Sequence, residues 1–266
     1  MRRSRDQEGM RSYARHCPIP GTKPSEYAPR LLSLGSECQV IAGIHFRGGE
    51  LTFPFVDVSA ETEPLPLDAA VELLSKEFRN FEPRALRVWR SAEESAPEGG
   101  EDDFVIRTAP LRELLSAPRL AGSERIRLEP DPELTSYEEY RALYEISAPK
   151  SSRVSPETRS SLRRCVEQGA FFHVSVDATP AGFMAARPEA YRWWKGWVIV
   201  EEILHPDFRG QGLGAAMQQK FLDELDPERG EAVFGTIAAD NLPSLKTSER
   251  VGRRSVEVGS FVFLRA

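Results

Sequence analysis

A chain of 266 residues, 40% hydrophobic and 29% charged, is long enough for one or two globular domains of about 100–200 residues each. Its net charge of −6 argues against a nucleic-acid partner. No run approaches the roughly 20 apolar residues of a membrane span, and the arginine-rich start lacks the apolar centre of a secretory signal. Three well-separated cysteines, Cys17, Cys38 and Cys165, and only four histidines suggest neither a disulfide framework nor a zinc site. The expectation is a cytoplasmic protein without metal, membrane or nucleic-acid partners; composition leaves its oligomeric state open.

In chain order, residues 1–28, with Pro18-Ile19-Pro20-Gly21 and Lys23-Pro24-Ser25, read as a disordered or extended tail. The apolar runs Leu31-Leu32-Ser33-Leu34, Val40-Ile41-Ala42-Gly43-Ile44 and Leu51 to Val56 suit buried strands or a short helix. Ala70, Val71, Leu74 and Phe78 recur at helical spacing and predict a helix over Leu67 to Phe78, with a strand at Ala85 to Trp89. The acidic, glycine-containing stretch from Ser91 to Asp103 reads as a flexible loop. A domain boundary is expected near Ser116 to Ser123, giving an accessory α/β domain at 29–122 and a second domain at 124–266.

The second domain opens with a strand at Arg125 to Leu128. Thr135-Ser136-Tyr137-Glu138 has capping-box spacing and starts a helix through Tyr144. Ser155-Pro156-Glu157 starts another, stopped by Gly169. Phe171 to Val176 and Ala181 to Ala186 flank the turn at Asp177 to Pro180 as a strand pair. Val198 to Leu204 is a further strand, and Leu213, Met217, Phe221 and Leu225 share the buried face of the next helix.

Between that strand and helix lies Arg209-Gly210-Gln211-Gly212-Leu213-Gly214. Glycine permits unusual backbone angles and leaves room for a ligand, so successive N–H groups and the helix N-terminus can converge on a diphosphate. The loop ends in Gly214-Ala215-Ala216, not the Gly-Lys-Ser/Thr of a Walker loop. His205-Pro206-Asp207-Phe208 separates it from the strand, unlike the tight turn of a dinucleotide fingerprint. Arg209, Gly212 and Gly214, with the approach Leu204-His205-Pro206-Asp207-Phe208, instead resemble the GNAT superfamily of acyl-CoA-dependent N-acyltransferases. Val233 to Ala238, followed by Asn241, Ser244 and Gly252, resembles the family's fifth strand and next helix.

The resemblance implies a mixed α/β (α+β) fold, a mostly antiparallel twisted sheet flanked by helices. It also implies acetyl-CoA or another acyl-CoA as co-substrate, and transfer to a primary amine on a small molecule or peptide. On this likeness Ile203, Leu204, Arg209, Gln211, Gly212, Gly214, Ala215, Asn241 and Ser244 are the cofactor-binding candidates, and the N–H near Leu204 is the oxyanion donor. Asn241 and Gly252 also suit a helix cap and stop. Arg209 suits either loop support or a phosphate, and Lys246 either solvent or the adenosine 3′-phosphate.

An amine must lose its proton before attack, and a carboxylate raised by burial can take it. Glu201 and Glu202 interrupt the apolar strand; regular alternation gives the cleft one of them, but a family bulge can change the parity, so both stay open. Ser248 stands where the family carries a tyrosine that protonates the leaving thiolate, and Arg253 replaces the usual aromatic. Serine is a poor acid with a shorter reach, which leaves that proton to water or Tyr191. Tyr191, Trp193, Trp194 and Trp197 suit an amine pocket or plain packing, and His173 and His205 suit packing or surface positions. A non-catalytic acyl-CoA-binding module is the alternative reading.

In the accessory domain, Leu32 to Cys38 and Phe53 to Asp57 resemble the opening of papain-like cysteine peptidases, for which Cys38 and His45 would be the reacting pair. A buried structural cysteine, a degenerate acyltransferase half or a domain closing over the substrate are the other readings.

Overall fold

In the computed structural model, which describes residues 13–35, 38–60, 65–147, 156–191 and 194–264, the N-terminal apolar runs form strands. Their side chains alternate between a buried and an open side: Val40 and Ala42 are fully buried, whereas Leu31 and Ile41 are exposed. β1 (Arg30–Leu34), β2 (Cys38–Phe46) and β3 (Pro54–Ala60) make an antiparallel meander. Helix α1 (Leu67–Glu77) then crosses to β4 (Ala85–Ser91), which is parallel to β3. The closing strand of the chain pairs antiparallel with β4 from Glu257 to Phe263. Ile44, Val56, Leu74, Phe78 and Leu86 pack as the core beneath these elements. This is the first of two units, which divide at Phe104/Val105 and at Val256/Glu257.

Three expectations change here. The described part of the expected tail is packed, because Cys17 and Tyr27 join the core; the Tyr27 hydroxyl donates to the Cys17 carbonyl at 2.8 Å and accepts from Ile19 N at 3.0 Å. The acidic stretch is not all loop, since Glu101 to Asp103 open β5 (Glu101–Pro110). Asp103 is ordered by charge, not by apolar burial: 2% exposed, it meets Arg87 at 3.0 Å and Arg47 at 3.5 Å. The peptidase pair fails on distance. Cys38 and His45 share β2, and seven residues of strand separate them by about 23 Å on opposite faces. Cys38 is a buried structural thiol beside Leu34.

The second unit starts within β5, before the boundary expected at Ser116 to Ser123, because Leu111 and Leu114 of α2 (Leu111–Ser116) lie in its core. There follow β6 (Ile126–Pro130), α3 (Tyr137–Ser147), α4 (Arg159–Val166), β7 (Phe171–Val176), β8 (Thr179–Tyr191) and β9 (Trp194–Leu204). Then come α5 (Leu213–Leu222), β10 (Ala232–Ala238), α6 (Leu242–Val251) and the start of β11 (Arg254–Phe263). The strand order is β5-β10-β9-β8-β7-β6, with β6 to β9 antiparallel and β10 parallel to β9. The fold is thus the expected mixed α/β class, mostly antiparallel with flanking helices.

Local chemistry sets the helix ends. Asp131 accepts the amides of Thr135 at 3.0 Å and Ser136 at 2.9 Å ahead of α3, a task the capping-box reading gave to Thr135. Thr158 caps α4 by accepting from Ser161 N at 3.1 Å; Ser155, the expected start, lies outside the described residues.

Candidate active site

Two irregularities shape the centre of the second unit. β9 and β10 pair only at Trp197 with Val233 and Val198 with Phe234, so the strands part company from Ile199 and Gly235 onward. In the β8–β9 ladder, Ala185 faces Glu201 but Ala186 faces Ile199. Val200 is therefore an extra residue, a bulge that re-aims the side chains after it.

The bulge separates the two glutamates. Glu201 meets α3: its Oε2 accepts from the Tyr140 hydroxyl at 2.5 Å, and its Oε1 accepts from the Glu202 amide at 3.0 Å. The same hydroxyl accepts from Glu157 N at 2.7 Å, which fixes the direction of its own proton. Burial pushes the Glu201 carboxyl up to about 7, against the hydrogen bonds from Tyr140 and Glu202, which favour the charged form. Glu202 meets α5, where Gln218 Nε2 donates to its Oε2. Its carboxyl is also raised by burial, opposed chiefly by the Arg253 charge.

Tyr140 was not anticipated from the sequence. The available signal was Tyr137, Tyr140 and Tyr144 at helical spacing, rings with a polar tip that finds a partner when buried. All three sit on α3, and Tyr140 is fully buried.

At the strand exit, Arg209 Nε donates to the Leu204 carbonyl at 2.9 Å and its Nη1 to that of Ser147 at 3.0 Å. Arg209 therefore braces the loop. Gln211 Nε2 does likewise to the Asp207 carbonyl at 2.9 Å. Gly212 precedes α5 with φ of 77°, and no side chain caps the helix. The first-turn amides, those of Gly214 and Ala215 among them, have no partner within the helix. Gly210, at φ of 74°, has no atom within 4 Å of where a Cβ would stand. A Cβ on Gly212 would lie 3.1 Å from Arg250 Nη1, and one on Gly214 would lie 3.2 Å from Thr247 Oγ1. The open main-chain donors, with the exposed Arg250 guanidinium alongside, fit a diphosphate. Lys246, expected to meet solvent or the adenosine 3′-phosphate, is exposed one turn earlier on the same helix.

Other candidates have packing duties. Asn241 Oδ1 accepts from Ser244 N at 3.3 Å, the helix-cap role, and Gly252 ends α6 at φ of 108°. Ser248 is wholly buried; its hydroxyl donates to the Leu245 carbonyl at 2.8 Å and accepts from Arg107 Nη1 at 3.1 Å. These fixed partners leave it no route to a departing group. Tyr191 lies six residues along β8 from Ala185, the residue facing Glu201, a separation of about 20 Å. Trp197 is buried and donates to the Asp226 carbonyl at 2.8 Å; Trp193 lies outside the described residues. His205 Nδ1 accepts from Asp207 N at 3.3 Å, and His173 packs on Phe183 with ring centroids 4.8 Å apart. Among the described residues no helix is long and apolar enough to cross a membrane, and no cluster of side chains is arranged to hold a metal.

Comparison with known proteins places this unit. Residues 137–252 match the family described as "Acetyltransferase (GNAT) family". Similar solved structures include a GCN5-related N-acetyltransferase from Sphaerobacter thermophilus, with TM-score 0.57, 15% identity, 86% of this chain covered and 81% of that one. A GCN5-related N-acetyltransferase from Kribbella flavida gives 0.53 and 15%, covering 90% of each chain. A GNAT-family acetyltransferase from Colwellia psychrerythraea gives 0.54 and 11%, covering 85% and 81%. No curated protein gives a significant match.

Proposed function

Because residues 137–252 belong to the acetyltransferase (GNAT) family, we propose that the protein is an N-acyltransferase that moves an acetyl group from acetyl-CoA to a primary amine. The diphosphate of the co-substrate is held by the main chain of Gly212, Gly214 and Ala215, with Arg209 and Gln211 bracing the loop. Its pantetheine arm follows the diverging edge of β9 at Ile203 and Leu204, towards Asn241 and Ser244. An N–H near Leu204 meets the thioester oxygen, a donor that is in place before charge develops there.

Glu201 is the base. The observation that carries this reading is its position: a partly buried carboxylate at the Val200 bulge, bonded to Tyr140 and raised to about 7. A group that ionises near working pH combines a populated basic form with useful proton affinity. Tyr140 orients it and Glu202, turned to Gln218, stays out of the proton transfer. The amine is carried by a small molecule or a peptide.

Calorimetric titration with acetyl-CoA, followed by a thiol-release assay across a panel of amines, tests the proposal. Binding together with amine-dependent release of CoA is the expected result. The tightly held Ser248 favours the second reading, an acyl-CoA-binding module without turnover, and binding with no release under any amine would establish it instead.

A further inference from the structure

The two departures from the family pattern, Ser248 and Arg253, lie in one buried polar cluster. Arg253 is 3% exposed and Gln218 is 0% exposed. Nε and Nη1 of Arg253 and Oε1 of Gln218 have no hydrogen-bond partner among the described residues. Burying an unsatisfied guanidinium is costly, so its retention calls for a compensating partner. Glu202 supplies attraction but not contact: it is bonded to Gln218, and no ion pair among the described residues includes Arg253.

The place of this guanidinium is specific. A Cβ on Gly235 would stand 3.4 Å from Arg253 Nη1 and 3.5 Å from the Ile199 carbonyl oxygen. Gly235 and Ile199 are the first residues beyond the last β9–β10 pair. Arg253 thus sits at the apex from which the two strands diverge, with its Nε and Nη1 donors unspent. The charged and titratable groups around it are Glu202 from β9 and Arg107 from β5, with Gln218 from α5 and Ser248 from α6 nearby.

We infer that Arg253 receives the negative charge of the departing thiolate, and that this is how the protein transfers an acyl group without a tyrosine at Ser248. The inference rests on the acyl-transfer reading. In the step, the amine nitrogen bonds to the acyl carbon and its proton passes to Glu201. The carbon–sulfur bond breaks with its electron pair on sulfur, and the sulfur leaves unprotonated against the Arg253 cation. No donor acid is required, because an adjacent positive charge favours the thiolate over the thiol.

The test reads the protein-bound CoA thiol through thiolate ultraviolet absorbance during a pH titration. With the native chain, the bound thiol is expected to ionise at least about one pH unit below free CoA, a tenfold change in its ionisation constant. In the double variant Arg253→Met/Glu202→Gln, which removes cation and facing carboxylate together, the thiol is expected to titrate like free CoA. An unshifted bound thiol in the native chain overturns the inference and leaves Arg253 a structural wedge, whatever the variant does. Failure to bind CoA at all sinks the acyl-transfer reading itself. A supporting kinetic measure is the dependence of rate on leaving-thiol acidity across acetyl thioesters. It should steepen in the variant; an unchanged slope speaks against a thiolate contact.

Discussion

The two units run through the same succession, three antiparallel strands, a helix and a strand parallel to the third, yet they treat a carboxylate at the same place in opposite ways. Asp57 in β3 and Glu201 in β9 each stand three residues before the end of the third strand. Asp57 accepts from Arg87 Nε and from Trp89 Nε1, both at 2.9 Å. Burial alone would raise it, but Arg87 overrides burial and holds it below the ordinary carboxylate range. Glu201 has a tyrosine in place of a cation, and there burial prevails. The same topology therefore holds one carboxyl below the ordinary range and the other above it. The sequences after the two strands differ too: Glu61-Thr62-Glu63-Pro64 carries two acidic residues that would repel a diphosphate, where Arg209-Gly210-Gln211-Gly212 would receive one.

The largest expected effect separates the two carboxylates. Glu201→Gln should lower kcat/KM by about 10²–10⁴-fold, the usual range for a lost general base. Asp57→Asn should leave kcat/KM unchanged while costing about 1–3 kcal/mol of stability, because it strips a partner from the buried Arg87. Steady-state kinetics and denaturant unfolding on both variants check this, and equal kinetic losses would break the contrast.

The pH dependence follows in size. If Glu201 is the base, it acts as its anion, so kcat/KM should rise with slope one to a plateau above about pH 7. Tyr140 favours the charged form, so Tyr140→Phe should move that limb to higher pH. Stability runs the other way: a raised carboxyl contributes stability that is full below its unfolded value, near 4.5, and lost as pH climbs through about 7. Glu201→Gln should therefore be the more stable protein at pH 8, by about 1–3 kcal/mol. Asp57 has the opposite sign, its contribution vanishing as the solution is acidified through its lowered folded value.

Gly212→Ala should weaken acetyl-CoA binding by about tenfold, since φ of 77° costs a side-chain-bearing residue about 1–2 kcal/mol and Arg250 must yield. Calorimetry with the variant gives the figure; unchanged affinity would remove the loop from the binding site. The smallest effect is at Asn241. Asn241→Ala should cost about 1 kcal/mol as a lost helix cap, read as a fall in Tm, and any added loss of acetyl-CoA affinity would sharpen its assignment to the pantetheine arm.

The elements were largely legible in the sequence because they follow from local rules. α1 appears in the spacing of Ala70, Leu74 and Phe78, the strand pair β7–β8 in its turn residues, and the site's loop in Gly210, Gly212 and Gly214. The packed N-terminal segment and the buried Asp103 were not legible, because Tyr27 and Arg87 order them through contacts that no local pattern encodes. The glycine turn, the helix behind it and the two adjacent glutamates in an apolar strand follow from local sequence alone. Their different surroundings come from remote packing, the Val200 bulge and a hydroxyl 61 positions away at Tyr140, as does the burial of Arg253 where the strands part. Burial and partnership set the chemistry of an ionisable group, and both are supplied by residues remote in sequence.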